Sequence, residues 1–231
     1  MADRPFIVAI DGPAGAGKST VAREVARRTG ALYVDTGAMY RAVALWALRN
    51  GTPLEDMESL AQLAAHADIR LSGNPPRIAL NGEDVTDAIR QPEVAQGASI
   101  VAANPAVRRA MVALQRDIAA EQSIVMEGRD IGSVVFPDAE VKIYLDAQPE
   151  VRATRRAAEL SARGQSIAFD SLCQQITERD HRDRTREISP LLQAPDAEYI
   201  DSSQLSTEEV IEAILAVVRK KTSNGKLWTT S

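Results

Sequence analysis

An apolar run near the start of the sequence leads directly into a glycine-rich loop, an order that predicts a strand, a tight loop and a helix. Residues 12–19 read Gly-Pro-Ala-Gly-Ala-Gly-Lys-Ser and fit the pattern G-x-x-x-x-G-K-[ST], and the apolar residues 6–10 come just before them. Residues 21–28, after the loop, are predicted to form a helix. The backbone N–H groups of the loop and of the helix N-terminus then converge on one point, which predicts a bound anion there.

Two side chains of this loop have expected roles at a phosphate site. Lys18 would reach the β and γ phosphates of a nucleotide, and the hydroxyl of Ser19 would take a Mg²⁺ position. The alternative is a glycine-rich turn that only reverses the chain. The predicted strand before the loop and the predicted helix after it favour the phosphate site.

The composition of the chain argues against several other classes of protein. Its 231 residues are 45% hydrophobic, enough for a sizeable core, and its net charge of −5 argues against a general nucleic-acid or anionic-membrane surface. Cys173 is the only cysteine and there are two histidines, so neither an internal disulfide nor a zinc site is expected. The pattern around Cys173 is helical, which favours a packed thiol over a nucleophile. With no signal-peptide core and no membrane-spanning apolar run, we expect a cytoplasmic protein.

Short apolar runs alternate with helical stretches along the chain. The runs are residues 6–10, 31–34, 123–126, 141–145 and 199–200. Because they lack polar alternation, they predict strands buried on both faces, and so an α/β fold with a mostly parallel central sheet flanked by helices. Ligands of such folds gather at the C-terminal ends of the strands. Gly30 and Gly51 are predicted helix C-caps, and a capping box at residues 206–209 opens a last helix that ends at about Lys220.

Residues 68–86 have a different pattern, with short alternating segments at residues 69–71, 78–80 and 84–86. Asn81-Gly82 lies between the last two segments and is a type I′ hairpin signal. These residues predict a small antiparallel sheet inserted into the α/β fold. The insertion is expected to continue through helices to about residue 121, with a break at Asn104-Pro105.

The segment from residue 150 to residue 186 has eight arginines against six acidic residues, which suits an anionic ligand. Spacings of four and three residues from Arg179 place Asp183 and Arg186 on nearly the same helix face. A second cluster, Arg152, Arg155 and Arg156, lies one helix earlier, and a turn is predicted at residues 164–166. Two arginine-rich helices around a turn are typical of a mobile lid. The alternative is a pair of solvated helix faces that carry salt bridges.

Polar clusters follow two of the predicted strands. Glu127-Gly-Arg-Asp130 presents two acids and a cation, which can bind Mg²⁺ through water, hold a phosphate or accept hydrogen bonds from a ligand. The alternative there is a plain loop with an internal Arg129–Asp130 pair. Asp35-Thr-Gly37 is followed by Tyr40 and Arg41, and its alternative is a helix N-cap at Asp35 or Thr36 with Tyr40 in the core.

Five motifs, in order along the chain, make it resemble the bacterial cytidylate kinases over nearly its whole length. They are Ile10-Asp-Gly-Pro-Ala-Gly-Ala-Gly-Lys18, Asp35-Thr-Gly-Ala-Met-Tyr-Arg41, Glu127-Gly-Arg-Asp-Ile-Gly132, Val135-Phe-Pro-Asp138 and Glu178-Arg-Asp-His-Arg-Asp-Arg184. The resemblance implies direct in-line transfer of the γ-phosphoryl group of ATP to CMP or dCMP, giving ADP and CDP or dCDP, with Mg²⁺ as the cofactor. It also implies a monomer that binds neither nucleic acid nor membrane.

The same resemblance implies how the chain is organised. A single kinase domain over residues 1–231 would have its core at about residues 1–35, 122–150 and 187–221. The monophosphate-binding region with the inserted sheet would occupy about residues 36–121, and an arginine-rich lid about residues 151–186. Residues 222–231 are expected to form a frayed tail.

The resemblance also assigns site residues. The ATP-binding residues would be Gly12, Pro13, Ala14, Gly15, Ala16, Gly17, Lys18, Ser19, Thr20 and Arg155. The CMP-binding residues would be Thr36, Tyr40, Arg41, Ser99, Arg108, Arg129, Asp130, Arg179, Asp183 and Arg186. The phosphate of CMP would contact Arg41, Arg129 and Arg186, the cytosine would face Asp130, Ser99 and Arg108, and the sugar would contact Arg179 and Asp183. Lys18, Arg129, Arg186 and Asp130 form the expected catalytic group. No protein nucleophile is needed, because an oxygen of the CMP phosphate is the acceptor.

Two departures from the family pattern and two rival functions remain. Ser19 stands where some members have glycine, which strengthens the Mg²⁺ assignment, and Glu127 stands where others have aspartate, which leaves its role open. One rival is a phosphate-loop kinase for a different nucleoside monophosphate or a small metabolite, because the residues alone do not identify the base. The other is a nucleotide-binding switch, but the chain lacks the Asp-x-x-Gly and Asn-Lys-x-Asp motifs that such proteins use.

Overall fold

The structure is a computed structural model that describes residues 5–73, 75–120, 122–162, 164 and 167–222. In chain order its strands are β1 (Ile7–Asp11), β2 (Leu32–Asp35), β3 (Ile69–Ser72), β4 (Arg77–Leu80), β5 (Glu83–Asp84), β6 (Ile124–Gly128), β7 (Val141–Asp146) and β8 (Glu198–Asp201). Its helices are α1 (Lys18–Thr29), α2 (Thr36–Arg49), α3 (Met57–His66), α4 (Pro92–Val101), α5 (Pro105–Ala119), α6 (Pro149–Ser161), α7 (Phe169–Thr185) and α8 (Thr207–Lys221). A short 3₁₀ helix (Ala88–Arg90) and a π-helical turn (Ile131–Val135) complete the elements.

The chain divides into two compact units. The first unit consists of the residues up to 33 and those from 122 onward, and the second unit consists of residues 34–121. No helix among the described residues is both long enough and apolar enough to cross a membrane.

A five-stranded sheet with the strand order β2-β6-β1-β7-β8 forms the centre of the first unit. β1 pairs in parallel with β6 and β7, and β7 pairs in parallel with β8. Val8, Ala9 and Ile10 of β1 are fully buried, and the core around them is filled by residues of α1 and α8. Strands this apolar require cover on both faces, so the predicted parallel sheet is confirmed.

The inserted antiparallel sheet is also confirmed, with the strand order β3-β4-β5. Asn81 and Gly82 between β4 and β5 both have positive φ, 51° and 85°, as a type I′ turn requires. β5 is shorter than the predicted segment, because the carboxylate of Asp84 accepts the N–H of Thr86 at 2.9 Å and turns the chain. Asn104 caps α5, so the predicted break at Asn104-Pro105 is confirmed as well.

Most predicted helix ends agree with the structure. The capping box at the start of α8 is present, since Ser206 accepts the N–H of Glu209 and the side chain of Glu209 accepts the N–H of Ser206. Gly30 caps α1 as predicted. The prediction for α2 was wrong by one residue, because Asn50 is its C-cap and Gly51 follows it. Of the predicted tail, residues 223–231 lie outside the described residues.

Candidate active site

The glycine-rich loop connects the end of β1 to the start of α1. Gly12 has φ 147°, and a Cβ atom at this position would lie 1.9 Å from the carbonyl oxygen of Leu145 in β7. Only glycine allows the loop to leave the sheet this close to β7. Gly17 begins the helix by accepting the N–H groups of Thr20 and Val21 at 3.1 and 3.2 Å, so α1 starts three residues before the predicted helix.

Lys18 is the buried cation of this loop. Its side chain points back to the loop, where Nζ donates to the carbonyl oxygen of Pro13 at 2.7 Å. Burial and the positive charges of Arg129 and Arg179 together lower the pKa of Lys18 to about 7, against the opposing negative charges of Glu127 and Asp11. The negative charge of a polyphosphate would stabilise the ammonium form, so the loop has the electrostatics of an anion site.

The residues that follow Lys18 fit a magnesium ion that arrives with a nucleotide. Ser19 and Thr20 are exposed in the first turn of α1. The described residues contain no group of three or more His, Cys, Asp or Glu side chains that could hold a metal ion. A single hydroxyl ligand fits Mg²⁺ that takes its other ligands from phosphate and water, as it does at nucleotide sites.

Asp11 is a buried carboxylate that sequence reasoning missed. Its two oxygens accept the backbone N–H groups of Ile131 and Gly132 at 2.8 and 2.7 Å, which ties the end of β1 to the π-helical turn. Burial raises the pKa of Asp11 to about 6, although both backbone hydrogen bonds lower it. The signal in the sequence was an acid at the end of an apolar strand, directly before the loop.

Residues 127–130 span the end of β6, which pairs with β1, and the first residues after it. Glu127 is buried and accepts the hydroxyl of Tyr33 at 2.5 Å. Arg129 donates to Asp183 of α7 at 2.9 Å, whereas the alternative interpretation expected an internal Arg129–Asp130 pair. Although burial opposes ionisation, the positive charges of Arg129 and Arg179 hold the pKa of Asp183 below its usual value.

The end of α7 brings a second arginine to the same cluster, but not from the predicted helix face. α7 ends at Thr185, and Arg186 is its C-cap with extended backbone. The chain turns there because Nε of Arg186 donates to the carbonyl oxygen of Ser189 at 2.5 Å. The backbone carbonyl oxygen of Asp183 also accepts the N–H of Leu191. From this position the guanidinium of Arg186 lies 3.8 Å from the carboxylate of Asp130. Arg129, Asp130, Asp183 and Arg186 therefore form one largely buried charged cluster in the first unit.

α6 and α7 pack together through Ala153, Leu160, Leu172 and Ile176, with Cys173 partly buried against them. The prediction of a packed thiol is confirmed.

The arginines of α6 differ in what they contact. Arg155 donates to the carbonyl oxygen of Ala16 in the loop and to both oxygens of Ser202, at 3.3, 2.9 and 2.7 Å. Arg156 makes a surface ion pair with Glu159. Gly164 lies in a turn, and residues 165 and 166 lie outside the described residues.

The second unit contains the remaining candidate residues. Asp35 is the N-cap of α2, where it accepts the N–H of Ala38, and it also pairs with Arg41 at 2.9 Å. Thr36 and Tyr40 are buried. The guanidinium of Arg108, from α5, lies over the ring of Tyr40, 5.7 Å from its centroid. Ser99 is half-buried on α4.

Comparison with known proteins gives consistent matches. A family model described as cytidylate kinase matches residues 8–220. A cytidylate kinase from Solibacter usitatus (strain Ellin6076) is 57% identical over 231 residues, which covers 98% of this chain and 99% of that protein. One from Pelotomaculum thermopropionicum is 53% identical over 214 residues, which covers 91% of this chain and 95% of that protein. Among solved structures, an uncharacterized protein from Eubacterium ventriosum has a TM-score of 0.51 at 12% identity, covering 92% of this chain and 98% of that chain, and shows a shared fold only.

Proposed function

The chain belongs to the cytidylate kinase family, and from that premise we infer that it transfers the γ-phosphoryl group of ATP to CMP. The observation that carries this conclusion is the family match over residues 8–220, which includes the glycine-rich loop and the buried charged cluster of the first unit. An oxygen of the CMP phosphate forms the new bond to the γ-phosphorus as the bond to the bridging oxygen of ATP breaks. The products are CDP and ADP.

The donor side of the reaction is assigned to the glycine-rich loop. The loop N–H groups and Lys18 would neutralise the phosphates of ATP, and the burial of Lys18 supports this role because little water competes there. Ser19 would hold Mg²⁺, which when bound neutralises phosphate charge and aligns the reacting groups. No protein side chain needs to become covalently modified in this scheme.

The acceptor side is assigned residue by residue from the resemblance to the family. In the first unit, Arg129 and Arg186 would hold the phosphate of CMP, Arg179 and Asp183 its sugar, and Asp130 its base. The ion pairs Arg129–Asp183 and Arg186–Asp130 support this assignment, since each arginine is held in place by a carboxylate. In the second unit the proposed contacts of CMP are Arg41 for the phosphate, Ser99 and Arg108 for the cytosine, and Thr36 and Tyr40 beside them.

Three further properties stay predictions. They are the use of dCMP beside CMP, the monomeric state and the cytoplasmic location. The organisation into a core, a monophosphate-binding region and a lid stays a prediction too.

The function is tested by measuring ADP release from ATP and Mg²⁺ with CMP, dCMP, UMP, AMP and GMP as acceptors. We expect the highest kcat/KM with CMP, and dCMP ahead of the other three. A preference for another monophosphate would support a different kinase of the phosphate-loop class. Nucleotide binding without multiple turnover on any acceptor would support a switch module instead.

A further inference from the structure

The crest of the glycine-rich loop, Ala14 and Gly15, lies directly against the start of α6. A Cβ atom built on Gly15 would lie 3.0 Å from Cβ of Arg152 and 3.2 Å from its carbonyl oxygen. Arg152 is only 3% exposed, although it carries a charge. Its Nη1 donates to the carbonyl oxygen of Ala14, in the crest, at 3.1 Å. The first turn of α6 is therefore one wall of the loop.

This hydrogen bond fixes the direction of a peptide group. The carbonyl of Ala14 and the N–H of Gly15 belong to the same peptide plane, and in a trans peptide they point in opposite directions. A carbonyl turned toward α6 therefore turns the N–H of Gly15 away from α6. Arg155 holds the carbonyl of Ala16 in the same way, at 3.3 Å, which turns the N–H of Gly17.

The guanidinium of Arg152 is itself held from two other sides. Its Nε donates to the carbonyl oxygen of Ala147, just after β7, at 2.9 Å. Its Nη1 also lies 2.6 Å from Oδ2 of Asp180, which is 7% exposed on α7. A planar fork with several donors can serve three acceptors at once, and the single ammonium of a lysine cannot reproduce that geometry.

We propose that Arg152 is a positioning residue for the donor nucleotide, which orients the Ala14–Gly15 peptide so that its N–H faces the phosphates. Asp180 holds the guanidinium of Arg152 in the orientation that this contact requires. Arg152 does not touch the nucleotide and acts through the loop backbone. The inference rests on the proposed function only in taking an adenine nucleotide as the ligand of the loop.

The test measures ADP binding by titration calorimetry for the wild-type chain, Arg152→Lys and the control Arg219→Lys. Lysine keeps the charge beside Asp180 but loses the fixed contact with Ala14. Because a hydrogen bond to a charged group is lost, we expect ADP to bind about tenfold or more weakly to Arg152→Lys. We expect CMP to bind to Arg152→Lys as it does to the wild type. KM for ATP should rise together with the dissociation constant for ADP. Arg219→Lys changes only a surface pair with Glu212 on α8 and is expected to bind ADP as the wild type does.

A thermal unfolding curve separates this role from a purely structural one. If Arg152→Lys does not fold, the double variant Arg152→Met/Asp180→Asn carries the test, since it removes both buried charges and leaves neither unpaired. A folded variant that binds ADP like the wild type overturns the proposal, and so does an equal loss of ADP and CMP binding. A wild-type chain that binds ADP but does not phosphorylate CMP contradicts the proposed function and leaves ADP binding to decide this inference.

Discussion

Buried carboxylates at single positions organise the loops at the end of the central sheet. Asp11 ties β1 to the backbone of the π-helical turn, and Asp183 holds Arg129. Neither contact is local in sequence, so neither could be predicted from spacing or periodicity. The loop lysine and its glycines were predictable because their roles depend on backbone geometry within eight residues.

The raised pKa of Asp11 predicts a pH dependence of stability. Its pKa is 3.8 in the unfolded chain and about 6 in the folded chain, so between these values the folded state holds the additional proton. Its contribution is therefore fully present below pH 4 and is lost as pH rises through 6. We expect the free energy of unfolding of the wild type, relative to Asp11→Asn, to fall by about 2 kcal/mol between pH 4 and pH 7. Urea unfolding of both proteins at several pH values measures this, and parallel pH profiles would contradict it.

Arg186 is predicted to act directly on catalysis. Its side chain is held by Ser189 and Asp130 beside the charged cluster, where it would neutralise transferring phosphate. We expect Arg186→Ala to lower kcat by about a hundredfold or more in a protein that is still folded at the assay temperature. Steady-state kinetics with ATP and CMP measures this. Arg219→Ala, from a surface pair of α8, is the control and should retain wild-type kcat. Turnover of Arg186→Ala near the wild-type value would exclude the proposed role.

At the scale of elements, the packing of the glycine-rich loop against β7 is predicted to tolerate no side chain at Gly12. Alanine there would place Cβ 1.9 Å from the carbonyl oxygen of Leu145 and would have to adopt φ 147°. We expect Gly12→Ala to lose ADP binding and most of its stability. Gly30→Ala is the matched control, because Gly30 has φ 66° but no atom within 4 Å of its Cβ position. It should cost only about 1–2 kcal/mol and leave ADP binding intact. Equal effects of the two substitutions on ADP binding would contradict this account of the loop.

The capping box of α8 gives a second prediction at this scale. Ser206→Ala removes the acceptor of the N–H of Glu209 and should cost about 1 kcal/mol, or a few degrees of melting temperature. Thr207→Ala is the control, because it changes the next residue of the chain and leaves the cap in place. Both variants should keep wild-type kcat, since α8 carries none of the proposed site residues. A stability loss in Thr207→Ala as large as in Ser206→Ala would argue against the capping role.

Strands and helices were predictable from sequence to within a few residues, and the misses have identifiable causes. β5 ends early because Asp84 bonds to Thr86, and α7 ends before Arg186 because that side chain bonds to Ser189. In both cases a side chain bonded to nearby backbone and ended the element. Arg152 was identified only as one of a basic cluster, since nothing in its spacing indicates a bond to the loop 138 residues away in sequence.

At the scale of the whole molecule, the chain separates its charges by location. The net charge is −5, yet the groups that would meet phosphate in the first unit are buried cations, Lys18, Arg129 and Arg186, held by nearby acids or backbone oxygens. Cations fixed in advance stabilise developing negative charge without reorganising during the reaction. The enzyme therefore acts by positioning two nucleotides, and no protein atom accepts the phosphoryl group.

The measurement that tests this claim most directly is a single-turnover rapid-quench experiment with ATP radiolabelled in the γ-phosphate, excess enzyme and CMP. Label is expected to pass from ATP to CDP with one rate constant, and no label should appear on the protein at any time. Label bound to the protein before CDP forms, or released chiefly as inorganic phosphate, would contradict direct transfer between the two nucleotides.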